Sequence, residues 1–199
     1  MRILAIDTTL TRCSVALIES DTALAALSES MERGHAERIA PMADEVMRTA
    51  EADFDSLDRI VVTTGPGSFT GLRVGLSFAR GIAVALAKPC VGISTLEALA
   101  LERGEDGARA AAIASGPDFY VARYQDGAPT VAPQRFGPDE ARAALAGAHV
   151  RGPAAGAFNG EVSDAPDILA LAQRGARLDP ALYPPNPLYL RAALLNMPS

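Results

Sequence analysis

The segment "GPGSFTGLR" (65–73) lies between the apolar run "RIVVTT" and the small-residue stretch "VGLSFARGIAVALA". Three of its glycines and one proline fall within seven positions. A glycine-rich turn between a strand and a helix is a common way to cradle phosphate, because backbone N–H groups and the helix N-terminus face the anion. The spacing tests that chemistry. A Walker A loop needs Gly-x4-Gly-Lys-Ser/Thr, with the lysine ammonium reaching the phosphates. Here Gly65 to Gly71 is one residue too long, Gly67 to Gly71 is one too short, and Leu72 stands where the lysine belongs. The chain's single lysine, Lys88, is a full helix away. The dinucleotide fingerprint G-x-G-x-x-G fails too, since the third glycine arrives one residue late. The next strand, "VGIST", offers Ser94 and Thr95 where an acidic residue is needed.

Packing accounts for the glycines better than phosphate does. At a spacing of four, Gly71, Gly75, Ala79, Ala83 and Ala87 form an unbroken ridge of small residues, with Leu72, Leu76, Ile82 and Leu86 beside it. Glycine in a helix interior costs about 1 kcal/mol relative to alanine, and Gly75 and Gly81 both pay it. Close approach of another backbone is the usual compensation. Two readings stay open. The helix is either enclosed within its own chain, or covered on a second side by another subunit.

The elements that position this turn follow from apolar patterning. "MRILAIDT" reads as a buried strand. "CSVALIES" and "TALAALSES" follow with a turn at Ser20-Asp21, completing a meander. "GHAERIAPMADEVMRTAEADF" carries apolar residues at helical spacing, and Pro41 predicts that the helix starts or kinks there. "RIVVTTG" and "KPCVGIST" are further strands, each followed by a helical stretch. This order predicts a mixed sheet with helices packed on it. The polar stretch "ERGEDGAR" (102–109) is the expected linker. Beyond it come shorter strands ("AAAIASG", "FYVARYQ", "TVAPQRFG"), helices ("PDEARAALAG", "DILALAQRGA") and the proline-rich "DPALYPPNPLYLR".

Composition narrows the function classes. The chain has 199 residues, 49% of them hydrophobic, enough for a real core. Its net charge is −6 and no basic run occurs, which disfavours direct nucleic-acid binding by its own surface. Cys13 and Cys90 sit in apolar runs without CxxC spacing and read as buried free thiols. Asp7 interrupts the first apolar run too early for a signal peptide. Ser77 and Arg80 break the longest apolar stretch, Val74–Ala87, so no membrane span and a cytoplasmic location are expected.

Taken together, "ILAIDTT", "GHAERIAPMADEVM", "VTTGPGSFTGLRVGLSFARGIA" and "KPCVGISTLEALA" resemble the TsaB (YeaZ) family over about residues 1–100. "NPLYLR" (186–191) resembles the family's terminal Pro-x-Tyr-x-Arg segment. The resemblance implies an α/β protein of the actin-like, sugar-kinase-like ATPase fold. It would have two lobes (1–102 and 103–199), mixed sheets flanked by helices, and a reduced second lobe. It implies a non-catalytic scaffold subunit in bacterial threonylcarbamoylation of the adenosine next to the anticodon, in tRNAs reading codons that begin with A. The implied partners are a TsaD-like catalytic paralogue and a TsaE-like ATPase. Self-pairing is expected when the chain is alone, with tRNA met only through the complex. The implied contact surface comprises Phe69, Gly71, Leu72, Arg73, Gly75, Leu76, Ala79, Arg80 and Ala83, with the two arginines seven apart on one face and open to partner carboxylates.

The catalytic equipment of relatives is not matched. The catalytic paralogue holds a metal through a His-x-x-x-His pair on the first long helix. Here His35 is followed by Ile39, which cannot ligate, so neither a metal site nor zinc-protease chemistry is expected. In ATPases of this fold the turn after the first strand approaches phosphate. Asp7, Thr8 and Thr9 are thus weak candidates for binding a nucleotide, in a turn ("DTTLTR") that lacks glycine. No catalytic residue and no strongly held cofactor are expected, and a subunit boundary is where a nucleotide would sit. "ASGPDFY" replaces the family's Asp-Ala-Arg stretch around Asp118. The alternatives are a small ATP-binding phosphotransferase of the same fold and a homodimer with another role.

Overall fold

The computed structural model describes residues 1–101 and 107–190. The apolar strand β1 (Arg2–Asp7) is central because both of its faces are buried. It pairs antiparallel with β2 (Arg12–Glu19) and parallel with β4 (Arg59–Thr63). With β3 (Thr22–Ser30) and β5 (Cys90–Ile93) they make a five-stranded mixed sheet in the order β3-β2-β1-β4-β5. The helices α1 (His35–Thr49) and α2 (Phe69–Ala85) cover one face, burying Leu4, Ile6, Val15, Met42, Val46 and Leu76. Pro41 lies inside α1 on its exposed side, so the helix starts a turn and a half before it rather than at it.

A short helix α3 (Thr95–Ala100) leads to the second lobe. There β6 (Ala108–Ser115), β7 (Asp118–Gln125), β8 (Ala128–Phe136), β9 (His149–Gly152) and β10 (Glu161–Val162) form a sheet in the order β10-β9-β6-β7-β8. Renumbered within its own half, this is the strand order of the first sheet. The helix α4 (Pro138–Leu145) takes the place of α1. In the place of α2 there is only a 3-10 turn, Ala155–Phe158, which is what makes the second lobe the reduced one. The expected linker falls mostly on residues 102–106, outside the described residues, while Ala108 and Arg109 already belong to β6.

The chain then returns to the first lobe. The helix α5 (Ile168–Arg177) packs on the face opposite α1 and α2, where Leu171 and Ala172 meet Ile3, Ala5 and Val61. Gly175 is needed there, because a Cβ would overlap the Val61 side chain. The Arg59 guanidinium donates to the carbonyls of Gly175 (2.6 Å), Ala176 (3.2 Å) and Leu178 (2.8 Å). Those carbonyls have no partner within the helix, and a cation at a helix C-terminus is favoured by the dipole. Residues 183–190 follow as an irregular strap across β5, the glycine turn and α2. Gly92 N–H donates to the Tyr183 carbonyl (2.9 Å), and Leu188 N–H donates to the Thr64 carbonyl (2.7 Å). The first sheet ends at Ile93 and the second begins at Ala108, while α5 and the strap to Leu188 pack on the first lobe.

Candidate functional site

Where β1 ends, Asp7 is fully buried. Its Oδ1 accepts from Thr9 N–H (3.1 Å), from the Thr9 hydroxyl (2.6 Å) and from the Thr63 hydroxyl (2.6 Å). Thr95 donates in turn to Thr9 Oγ1 at 3.1 Å. Three neighbouring strand ends, β1, β4 and β5, thus share one buried network of hydroxyls around a carboxyl. Asp7 Oδ2 is buried without a protein partner. Burial raises the Asp7 pKa above the ordinary 3.8, outweighing the hydrogen bonds from Thr63 and Thr9. Thr63 and Thr95 were not singled out by sequence reasoning. The available signal was that β4 and β5 both run into hydroxyl residues beside a strand that ends on a carboxylate.

This raised pKa has a measurable consequence. The folded chain favours the protonated carboxyl, so this group's contribution to stability is full below pH 3.8 and is lost as pH rises through the raised value. Asparagine keeps an acceptor for Thr63 and Thr9 and never ionises. Asp7→Asn is expected to exceed wild type in stability at pH 8, with the gap narrowing toward pH 4. Urea denaturation at the two pH values measures this, and a gap that does not change with pH refutes it.

The glycine turn sits directly on this network. Ser68 N–H donates to the Thr9 carbonyl (2.7 Å), and the Ser68 hydroxyl caps α2 by accepting from Gly71 N–H (3.2 Å). A Cβ on Gly67 would overlap the Thr9 carbonyl oxygen, one on Gly71 the Thr8 carbonyl oxygen, and one on Gly75 the Thr8 hydroxyl. The Thr8 hydroxyl donates to the Gly71 carbonyl at 2.7 Å. Gly65 takes a left-handed φ of 95° beneath the strap, with the Leu188 carbonyl 3.1 Å from where a side chain would begin. The first turn of the chain thus packs directly on the start of α2 at Gly67, Gly71 and Gly75.

The residues of the expected contact surface differ in exposure. Gly71, Leu72, Gly75, Leu76, Ala79 and Ala83 are all buried within the chain. At Gly71 and Gly75 the small-residue ridge meets the chain's own Thr8, and at Gly75 also Val62. Arg80 is also committed, donating to the Pro185 carbonyl and to Asn186 Oδ1 on the strap. Phe69 and Arg73 do face outward. With them stand Ser77, Gly81 and Val84, which is 82% exposed. At Gly81 a Cβ would meet nothing within 4 Å.

Between the lobes lies a cleft of about 580 Å³. Its walls include Thr9 and Ser68 from the first lobe, and Ile113, Tyr120 and Asp164 from the second. The stretch 114–120, divergent from the family pattern, thus contributes Ala114 and Tyr120 to this wall, while Asp118 pairs with Arg135 at 2.7 Å. Among the described residues lining the cleft there are two carboxylates, Glu32 and Asp164, and no Lys or Arg. Such a wall offers hydroxyls and negative charge to a ligand and no cation to a phosphate. His35 is buried at the start of α1, and Ile39 is buried one turn on. Among the described residues no three His, Cys, Asp or Glu side chains are placed to hold a metal ion. Burial raises the Cys13 thiol to about 12 and that of Cys90 to about 11, far from the range of a reactive thiolate. Among the described residues no helix is long and apolar enough to cross a membrane.

Comparison with known proteins places these features in a family. The family model described as "TsaD: tRNA N6-adenosine threonylcarbamoyltransferase" matches residues 27–135. The chain is 38% identical over 129 residues to the tRNA threonylcarbamoyladenosine biosynthesis protein TsaB of Escherichia coli, covering 63% of this chain and 55% of that one. It spans about half the length of the curated relatives it matches. Two solved structures from Pseudomonas aeruginosa extend the likeness over nearly the whole chain. One, described as an uncharacterized protein similar to peptidase YeaZ, has a TM-score of 0.80 at 28% identity, covering 96% of this chain and 99% of that one. The other, described as YeaZ, has a TM-score of 0.76 at 26% identity, covering 95% and 99%. The two like-ordered mixed sheets flanked by helices are those of the actin-like, sugar-kinase-like ATPase fold. The chain belongs to the TsaB (YeaZ) family, within the wider group that the TsaD model describes.

Proposed function

We propose that this chain is a non-catalytic assembly subunit for threonylcarbamoyl modification of the adenosine next to the anticodon, in tRNAs reading codons that begin with A. It pairs through the outer face of α2 with a TsaD-like catalytic paralogue and works with a TsaE-like ATPase in the cytoplasm. Alone, it self-associates through the same face. It meets tRNA only within the complex, and any nucleotide belongs at a subunit boundary. One observation carries the non-catalytic part of this reading: the turn after β1 is packed against the chain's own α2, with Gly67 and Gly71 pressed on the Thr9 and Thr8 carbonyls. The α2 part is supported by Gly81, a helix-interior glycine that no neighbour in its own chain requires.

A second reading, a small ATP-binding phosphotransferase of the same fold, has the space of the cleft between the lobes, though the cleft's described lining holds no Lys or Arg for the phosphates. Two measurements separate them. Depleting the chain from cells is expected to remove threonylcarbamoyladenosine from tRNA, with recovery when the wild-type chain is restored. Calorimetry on the isolated chain is expected to show no micromolar ATP binding. Micromolar affinity with magnesium-dependent turnover would replace the scaffold reading with the phosphotransferase one.

A further inference from the structure

The N-terminal end of the outer α2 face carries an aromatic and cationic stack assembled from two distant parts of the chain. The Phe69 ring, 49% exposed, lies under the Arg73 guanidinium, whose central carbon is 3.7 Å from the ring centroid. The Tyr189 ring, 48% exposed, packs beside it at a centroid distance of 6.1 Å. Tyr189 is held in place from its own side. Leu188 N–H is bound to the Thr64 carbonyl, and Arg80 grips the strap at Pro185 and Asn186. The stack is therefore ordered before any partner arrives, which reduces the ordering entropy that association must overcome.

Its chemistry defines what it would receive. A guanidinium lying flat on an aromatic ring keeps its donor fork available and suits a carboxylate bound in two-point fashion. Arg73 has no carboxylate partner among the described residues, and α2 contains no acidic residue at all. Arginine and tyrosine are enriched among the residues that carry most of the energy of protein interfaces. A second copy docking α2 against α2 would bring two more arginines and no acid. At the stack itself charge complementarity therefore favours a different chain, while self-association through the rest of the α2 face needs no carboxylate there.

We infer that Phe69, Arg73 and Tyr189 anchor the α2 contact surface, and that they receive a carboxylate flanked by an apolar side chain from a partner that is not a second copy. This rests on the α2 assembly proposed above. The test is binding of the purified TsaD-like paralogue from the same genome to the full chain, measured by calorimetry, with melting curves as a check on folding. Arg73→Ala is expected to weaken binding about 10-fold or more, and Tyr189→Ala at least about threefold. Arg73→Lys should fail to restore it, because an ammonium lacks the fork. Self-association, read by sedimentation, should be the same for Arg73→Ala and wild type.

The outcomes are separable through Val84→Glu, which tests the α2 face itself. If Val84→Glu abolishes binding while Arg73→Ala and Tyr189→Ala stay within about twofold of wild type, the anchor is overturned and the α2 assembly stands. If Val84→Glu binds as wild type does, the α2 assembly falls and the anchor falls with it. Loss of self-association in Arg73→Ala with paralogue binding intact overturns the inference in favour of a second copy.

Discussion

Gly71→Ala, a change of one methyl group, is expected to destabilise the isolated chain by about 1–3 kcal/mol, while Gly81→Ala on the same helix stabilises it by up to about 1 kcal/mol. Both glycines lie within α2 and pay the same backbone entropy in the unfolded chain. They differ in what surrounds them. At Gly71 the new Cβ would overlap the Thr8 carbonyl oxygen, a backbone atom that moves only if the end of β1 moves. The cost spreads into the Asp7 network, since Thr8 and Thr9 are consecutive and fully buried. At Gly81 the space is open, so the helix propensity of alanine is all that changes. Urea denaturation of the two variants reads the contrast directly. A neutral Gly71→Ala would mean that α2 does not sit on the Thr8 carbonyl. Gly75→Leu belongs with Gly71→Ala, because its side chain would drive into Thr8 and Val62. It is expected to fail in folding before it fails in assembly.

Val84→Glu is expected to leave melting unchanged and to abolish co-purification with the TsaD-like paralogue. The side chain is 82% exposed, and substitutions at such positions usually stay within about 0.5 kcal/mol of wild type. In the assembly a glutamate there would be buried in the contact, with Arg80 one turn away already donating to the strap at Pro185 and Asn186. The same cells should show a fall in tRNA threonylcarbamoyladenosine. A variant that co-purifies normally moves the contact surface off α2. A variant that melts early would show instead that Val84 supports the fold.

Sequence reasoning reached the first lobe nearly strand by strand, because its apolar runs are long and end on turn residues. It also found the ridge Gly71–Gly75–Ala79–Ala83, since a period of four is local information. What meets the ridge is not local. Thr8 lies more than sixty positions earlier, and the spacing of small residues is the same whether their neighbour is the chain's own first turn or another subunit. The spacing alone therefore leaves the internal and external readings undivided. Arg80 was read as open to a partner for the same reason, as its acceptors lie on the strap, 105 positions away. The shared strand order of the two sheets left no repeat in the sequence, because topology constrains the alternation of elements and hardly constrains side-chain identity. β10 is only Glu161–Val162, both exposed, and is too short and too polar to show a period.

The return of residues 168–188 to the first lobe has a consequence for how the molecule is made. Translation delivers β1 to β5, α1 and α2 early, so one face of the first sheet can be covered while synthesis continues. The other face, with Ile3, Ala5, Val61 and Val91, waits for α5. The glycine turn waits longer still, for Leu188 to reach Thr64. The whole second lobe is synthesised in between, with the first lobe left as a nascent half-core that presents bare apolar surface. Of the two lobes, the one whose strands are made first is thus the last to close.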